Sequence, residues 1–228
     1  MAVAFVQKST ELFADSASSI APSLGSVTAG NLVVCVCAVL QSGSTTALAT
    51  PSGWTLARAP AGLGTGLSPQ IGIWYKENAS SGTQSATINF AASSYAAASI
   101  VEFSGVKTSS SLANVNSNTG TGTTTGGNSA GAANTVATAV AIAVCTATDD
   151  GSLPSNLSSP ATTGYSVVDN EPSGSVHCPY DISYKILSSV ASETASWTWT
   201  SGVIDWEAGI AVFNGVSGTT NAIAWVKA

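Results

Sequence analysis

The chain has little charge. Asp, Glu, Lys and Arg supply 8% of its 228 residues, against about a quarter in an ordinary soluble domain. Its surface must therefore be made of Ser, Thr, Asn, Gly and Ala, which hydrogen-bond to water without carrying charge. Such a surface suits a protein packed against copies of itself or displayed on a particle. Basic residues are scarcer still: six Lys and Arg stand against twelve Asp and Glu, for a net charge of −6. Phosphate recognition runs on clustered Lys and Arg that release counterions, so nucleic acid is not an expected partner. The same deficit argues against a membrane surface. Long apolar runs are missing too. The longest, Leu32 to Leu40, is about half of the ~18–20 residues a spanning helix needs. The opening Met1-Ala-Val-Ala-Phe-Val-Gln-Lys8 has no basic start, long apolar stretch or small-residue cleavage site. It reads as a first β-strand rather than a signal peptide, and synthesis in a cytoplasm is expected.

Groups that carry chemistry are few. The cysteines are Cys35, Cys37, Cys145 and Cys178. Four allow three pairings, and a bridge between Cys35 and Cys37, two apart on one strand face, would be strained. The other pairings stay open, and the preferred reading is four buried thiols acting as small apolar residues. With no Cys-x-x-Cys and one histidine, His177, no zinc site is expected. His177 and Cys178 are neighbours, and neighbours on a strand point to opposite faces, so they do not form a nucleophilic pair. Asp205 and Glu207 flank Trp206. An i,i+2 pair lies about 6.5–7 Å apart, within the range glycosidases use, but no cleft of further acids and aromatics accompanies it. It reads as a solvated strand end. The acidic clusters Asp149-Asp150-Gly151 and Asp169-Asn170-Glu171 lack the spacing of a calcium loop and read as solvated turns. No metal, cofactor or catalytic residue is expected, and the chain is read as a binding or structural protein rather than an enzyme.

What the sequence does contain is a repeat, at a spacing of about 110 residues. The first half carries Gly53-Trp54-Thr55-Leu56, Ile73-Trp74-Tyr75-Lys76, Thr87-Ile88-Asn89-Phe90 and Ile100-Val-Glu-Phe103-Ser-Gly105-Val106. The second carries Gly164-Tyr165-Ser166-Val167, Ile182-Ser183-Tyr184-Lys185, Ser196-Trp197-Thr198-Trp199 and Ile210-Ala-Val-Phe213-Asn-Gly215-Val216. Four blocks recur in one order at nearly one spacing, which marks a duplication. Each alternates with period two: Ile71, Ile73 and Tyr75 point inward, as do Tyr180, Ile182, Tyr184 and Ile186, and Ala86, Ile88 and Phe90, and Ala195, Trp197 and Trp199. The pattern predicts an all-β protein of half-buried antiparallel strands.

Two runs, Leu32 to Leu40 and its counterpart Val136 to Cys145, are apolar on both faces. They need cover on both sides, by the second sheet and by a loop or another subunit. Residues 107–134 are rich in Ser, Thr, Gly, Asn and Ala; the stretch Thr119–Asn128 resembles a linker, but a Thr-rich strand with a loop after it is preferred there. Of the six tryptophans, Trp54, Trp197 and Trp199 fall at core-like positions. Trp74 faces away from Ile73 and Tyr75, and with Trp206 it is a candidate interface residue.

The phrases Gly30-Asn31-Leu32-Val33-Val34, Pro51-Ser-Gly-Trp54-Thr55-Leu56, Trp74-Tyr75-Lys76 and Val101-Glu102-Phe103-Ser104-Gly105-Val106 resemble β-sandwich virion proteins of tailed bacteriophages. The likeness covers roughly residues 3 to 106 well and the second half more loosely. It implies a jelly-roll-like antiparallel β-sandwich of two pseudo-repeats, about 1–106 and 107–228, in one compact unit, with two tandem sandwiches as the alternative. It further implies a capsid cement or decoration protein on the virion surface, with the major capsid protein and its own copies, as a homotrimer, for partners. A receptor- or carbohydrate-binding module of a tail fibre or secreted bacterial protein is the alternative. The resemblance brings no catalytic residue.

Overall fold

The computed structural model describes residues 1–42, 48–61, 67–121, 126–149, 157, 162–171, 178–199 and 204–216. These residues form antiparallel strands and the turns between them, with no helix. The first half runs β1 (Ala4–Lys8), β2 (Leu12–Ile20), β3 (Ser23–Val27), β4 (Leu32–Ser42), β5 (Thr55–Arg58), β6 (Leu67–Lys76), β7 (Gly82–Ser85) and β8 (Ile88–Ser104). The second runs β9 (Leu112–Gly120), β10 (Gly126–Asn128), β11 (Ala132–Ala133), β12 (Ala139–Asp149), β13 (Ser166–Glu171), β14 (Tyr180–Leu187), β15 (Ser192–Glu193), β16 (Ser196–Thr198) and β17 (Ile204–Asn214).

Each half makes one main sheet, and the strand orders match. The first is β1-β8-β4-β6-β5, with β2 alongside β8; the second is β9-β17-β12-β14-β13. The duplication read from four sequence blocks is therefore also a duplication of topology. Residue equivalences follow from the registers. Leu32 pairs with Phe103 as Val140 pairs with Phe213, and Val36 pairs with Ile73 as Val144 pairs with Ile182.

Alternation then sorts the side chains into three cores. Leu32, Val34, Val36, Ile71 and Ile73 of the first sheet meet Val140, Ile142, Val144, Tyr180 and Ile182 of the second in an inner core between the sheets. The other face of β4 (Val33, Cys35, Cys37 and Val39) lies in an outer core with Leu24, Trp54, Trp74 and Ile88. The other face of β12 (Ala139, Ala141, Ala143 and Cys145) lies in a second outer core with Trp197, Trp199 and Trp206. Both doubly apolar strands thus receive the cover that their sequence demands. On the outer side it comes from the chain itself: β2 and the β3–β7 pair over the first sheet, the β10–β16 and β11–β15 pairs over the second. Another subunit is not required to bury them.

The halves meet about a pseudo-twofold axis. Tyr75 packs edge-on against Phe213 at 5.2 Å between ring centroids, and its equivalent Tyr184 against Phe103 at 5.3 Å. The two endings Ser104-Gly105-Val106 and Asn214-Gly215-Val216 cross there. Val106 bridges Gly215, and the Val216 N–H donates to the Gly105 carbonyl at 2.9 Å. Gly105 sits at φ +72°, and a Cβ on it would lie 2.1 Å from the Ala2 carbonyl oxygen. Only glycine fits there, which explains its place in the recurring phrase.

The Ser- and Asn-rich segment after residue 107 forms β9, at the edge of the second sheet; the Thr119–Asn128 stretch, where a Thr-rich strand is expected, holds only the end of β9 and the short β10, and residues 122–125 lie outside the described residues. Edge strands expose every second backbone N–H to neighbouring chains. Here the Oδ1 atoms of Asn114, Asn116 and Asn118 accept the N–H groups of Val115, Ser117 and Thr119 at 2.8, 2.9 and 3.0 Å. The strand caps its own edge.

Candidate functional site

Among the described residues, several buried polar groups link the two halves. Strand β5 carries a bulge between Leu56 and Arg58, and β13 one between Val167 and Asp169. A bulge sets two residues against one partner residue and re-aims the side chain that follows. Arg58 lies opposite Ile73, and Asp169 opposite the equivalent Ile182. Both side chains therefore turn into the space between the sheets, at opposite ends of the inner core.

Arg58 forms a buried ion pair with Glu207 on β17 and donates from Nη1 to the Ile71 carbonyl at 2.7 Å. Glu207 also accepts the N–H groups of Ala61, at 2.8 Å, and Ile71, at 3.2 Å. Burial pushes the Glu207 carboxyl up, and Arg58 and the two N–H groups pull against that shift. At the other end, Asp169 receives Lys8 from β1 and the Ser99 hydroxyl from β8. Tyr180 donates its hydroxyl to Glu11, again from one half to the other. Glu77 accepts the N–H groups of Ser110 and Ser111 at 3.0 and 2.7 Å, fixing the connection between the halves.

Within each half, Lys76 lies 4.6 Å from the Trp54 ring centroid and donates to Gln84 at 3.0 Å. Its equivalent Lys185 lies 5.8 Å from the Tyr165 ring centroid and pairs with Glu193 at 2.8 Å. The duplication has kept the arrangement and changed its partners. Around the first of these lies a solvent-open depression of about 280 Å³, lined by Gly53, Thr55, Lys76, Asn78, Ser80 and Gln84 among others. Lys76 and Gln84, its central polar groups, already hydrogen-bond to the chain.

The structure moves several sequence expectations. Trp74 does face away from Ile73 and Tyr75, but it is fully buried: its ring lies on Gly72, whose Cβ would come within 2.1 Å of it. In the second half Asp181 and Ser183 occupy the equivalent places, and Trp197 fills the outer core, donating Nε1–H to Asp181 at 3.0 Å. Trp206 is 6% exposed and is held between Gly120 and Gly127, each too close to the indole to carry a Cβ. Both candidate interface tryptophans are thus core residues of their own chain. Glu207 is no solvated strand end: alternation along β17 puts it on the inward face with Ala211 and Phe213, where Arg58 neutralises it. Asp169 is no solvated turn, because the bulge in β13 turns it inward. The carboxyl of Asp181 is pushed up to about 6, by burial first, against hydrogen bonds from Trp197, Ser183 and Asn170. Ile186, expected to face inward, is 40% exposed at the end of its strand.

The four cysteines are free and buried, as small apolar residues would be. Burial pushes the Cys178 thiol up to about 12, so at neutral pH it is not a thiolate nucleophile. His177 lies outside the described residues, as do Asp150, Gly151 and Trp225. Among the described residues no three His, Cys, Asp or Glu side chains gather into a metal-binding group, and no helix is long and apolar enough to cross a membrane. Sequence reasoning missed Arg58. Its signal was present, as the one arginine of the chain, the residue type best suited to a buried ion pair. No protein-family model matches the chain, and no curated protein matches it in sequence.

Proposed function

We propose that the protein is a jelly-roll-like β-sandwich of a tailed bacteriophage virion, made in the host cytoplasm and placed on the capsid surface as a cement or decoration protein. The observation that carries this reading is where the polar groups go. Glu102, Asp169, Asp181 and Glu207 are all buried with partners inside the chain. Four of the six basic residues, Lys8, Arg58, Lys76 and Lys185, are likewise held within it. Lys8, Arg58, Asp169 and Glu207 join the two sheets and the other four brace one half each, and side chains spent on holding the fold favour a structural role over chemistry on a substrate. The resemblance of the Gly30–Val34, Pro51–Leu56 and Val101–Val106 phrases to virion sandwiches supports the same role. In this role the protein adds buried surface across junctions of the major capsid protein, as a homotrimer, and so raises the cost of separating capsid subunits.

The open depression beside Lys76 favours a second reading, a receptor- or carbohydrate-binding module of a tail fibre. Thermal release of DNA from particles with and without the protein separates the two. Cement predicts that particles lacking it release DNA at lower temperature. Unchanged heat resistance with reduced adsorption to host cells would replace the first reading with the second.

A further inference from the structure

We propose that the two halves recognise each other and not copies of themselves, so that the inner face of residues 1–108 is a specific docking surface for residues 109–216 even without the peptide link. Each half completes its own sheet and its own outer core; the inner core alone is shared. The apolar contacts across it are reciprocal, Tyr75 with Phe213 and Tyr184 with Phe103. Reciprocity of this kind is the mark of a self-complementary twofold interface, and by itself it would let either half pair with its own copy.

The charged contacts forbid that. Arg58 and Asp169 hold equivalent bulge positions with opposite charges. Ile100 and Ile210 are equivalent, so the place of Glu207 is taken in the first half by Ala97. Two first halves would bury Arg58 against Ala97, with Lys8 facing a second arginine where Asp169 now stands. Two second halves would bury Asp169 against Glu207, carboxylate to carboxylate. A buried charge with no partner, or with a like one, is strongly unfavourable. Only the mixed pairing neutralises both ends of the inner core.

The test uses the full chain with a protease site inserted between Thr108 and Ser109, which are both exposed. The folded protein is cut without denaturant, then unfolded and refolded as a mixture, with native mass spectrometry before and after. The expected species is one copy of each piece, in more than about tenfold excess over either self-pair. Pieces that separate on cutting, or self-pairs of comparable abundance, overturn the proposal. If the insertion prevents folding, the uncut variant Asp169→Arg/Glu207→Ala decides, because it gives the second half the charges of the first. Its melting temperature should fall by roughly 10 °C or more, where 1 kcal/mol corresponds to about 2–4 °C in a chain of this size. A fall within about 2 °C would show that the charges do not set the pairing.

Discussion

Replacing Arg58 by Met removes the cation from the ion pair and leaves Glu207 buried with only the N–H groups of Ala61 and Ile71. Breaking a buried pair in this way costs about 3–5 kcal/mol. At about 2–4 °C per kcal/mol, the melting temperature should fall by roughly 6–20 °C. The double variant Arg58→Met/Glu207→Gln removes both charges and keeps an acceptor for the two N–H groups. It should lie within about 2 kcal/mol of the wild type, since an apolar replacement of a buried pair is often close to neutral. Urea unfolding followed by tryptophan fluorescence measures all three proteins. The single variant should also depend on pH. Without Arg58, the folded-state pKa of Glu207 rises further above its unfolded value, so the remaining stability is greatest below about pH 4 and declines as pH rises through the folded pKa. A loss below about 1 kcal/mol for Arg58→Met at pH 7, the range of exposed pairs, would refute the buried pairing.

Asp181 has its folded pKa raised from 3.8 to about 6 by burial, so its contribution to stability is full below pH 3.8 and is lost as pH rises to about 6. At about 1.4 kcal/mol per pKa unit, the stability of the wild type relative to Asp181→Asn should drop by about 2–3 kcal/mol across that window; parallel curves would contradict the assignment. Trp197→Ala empties the second outer core, and denaturant titration should show a cost of roughly 3–5 kcal/mol. Reductant should leave the melting temperature unchanged, because all four thiols are free; a shift on adding dithiothreitol would reveal a disulfide.

The parts of this fold that were legible in the sequence are those written in a period of two. Ile71, Ile73 and Tyr75, or Trp197 and Trp199, alternate cleanly and lie where alternation puts them. The parts that were not legible are where that period breaks. A single extra residue in β5 and in β13 reverses the face on which Arg58 and Asp169 lie, and nothing in a charge pattern announces a bulge. The outer cover was hidden for another reason. Strands as short as Ser23–Val27 and Gly82–Ser85 carry little periodic signal, so Trp74 read as an interface residue although the chain has its own covering layer over it. The substitution of Trp74 and Gly72 by Ser183 and Asp181, with Trp197 moving in, shows the same volume being filled from two different strands.

The asparagines of β9 have a consequence for growth. A sheet extends by offering free N–H groups to an incoming strand, and alternate ones on this edge are already taken by Asn114, Asn116 and Asn118. Whatever strand joins the second sheet at its opposite edge, the sheet cannot be continued through β9. In the language of polymerisation, this edge is a chain stopper, so crowding many copies together need not seed a fibre through it.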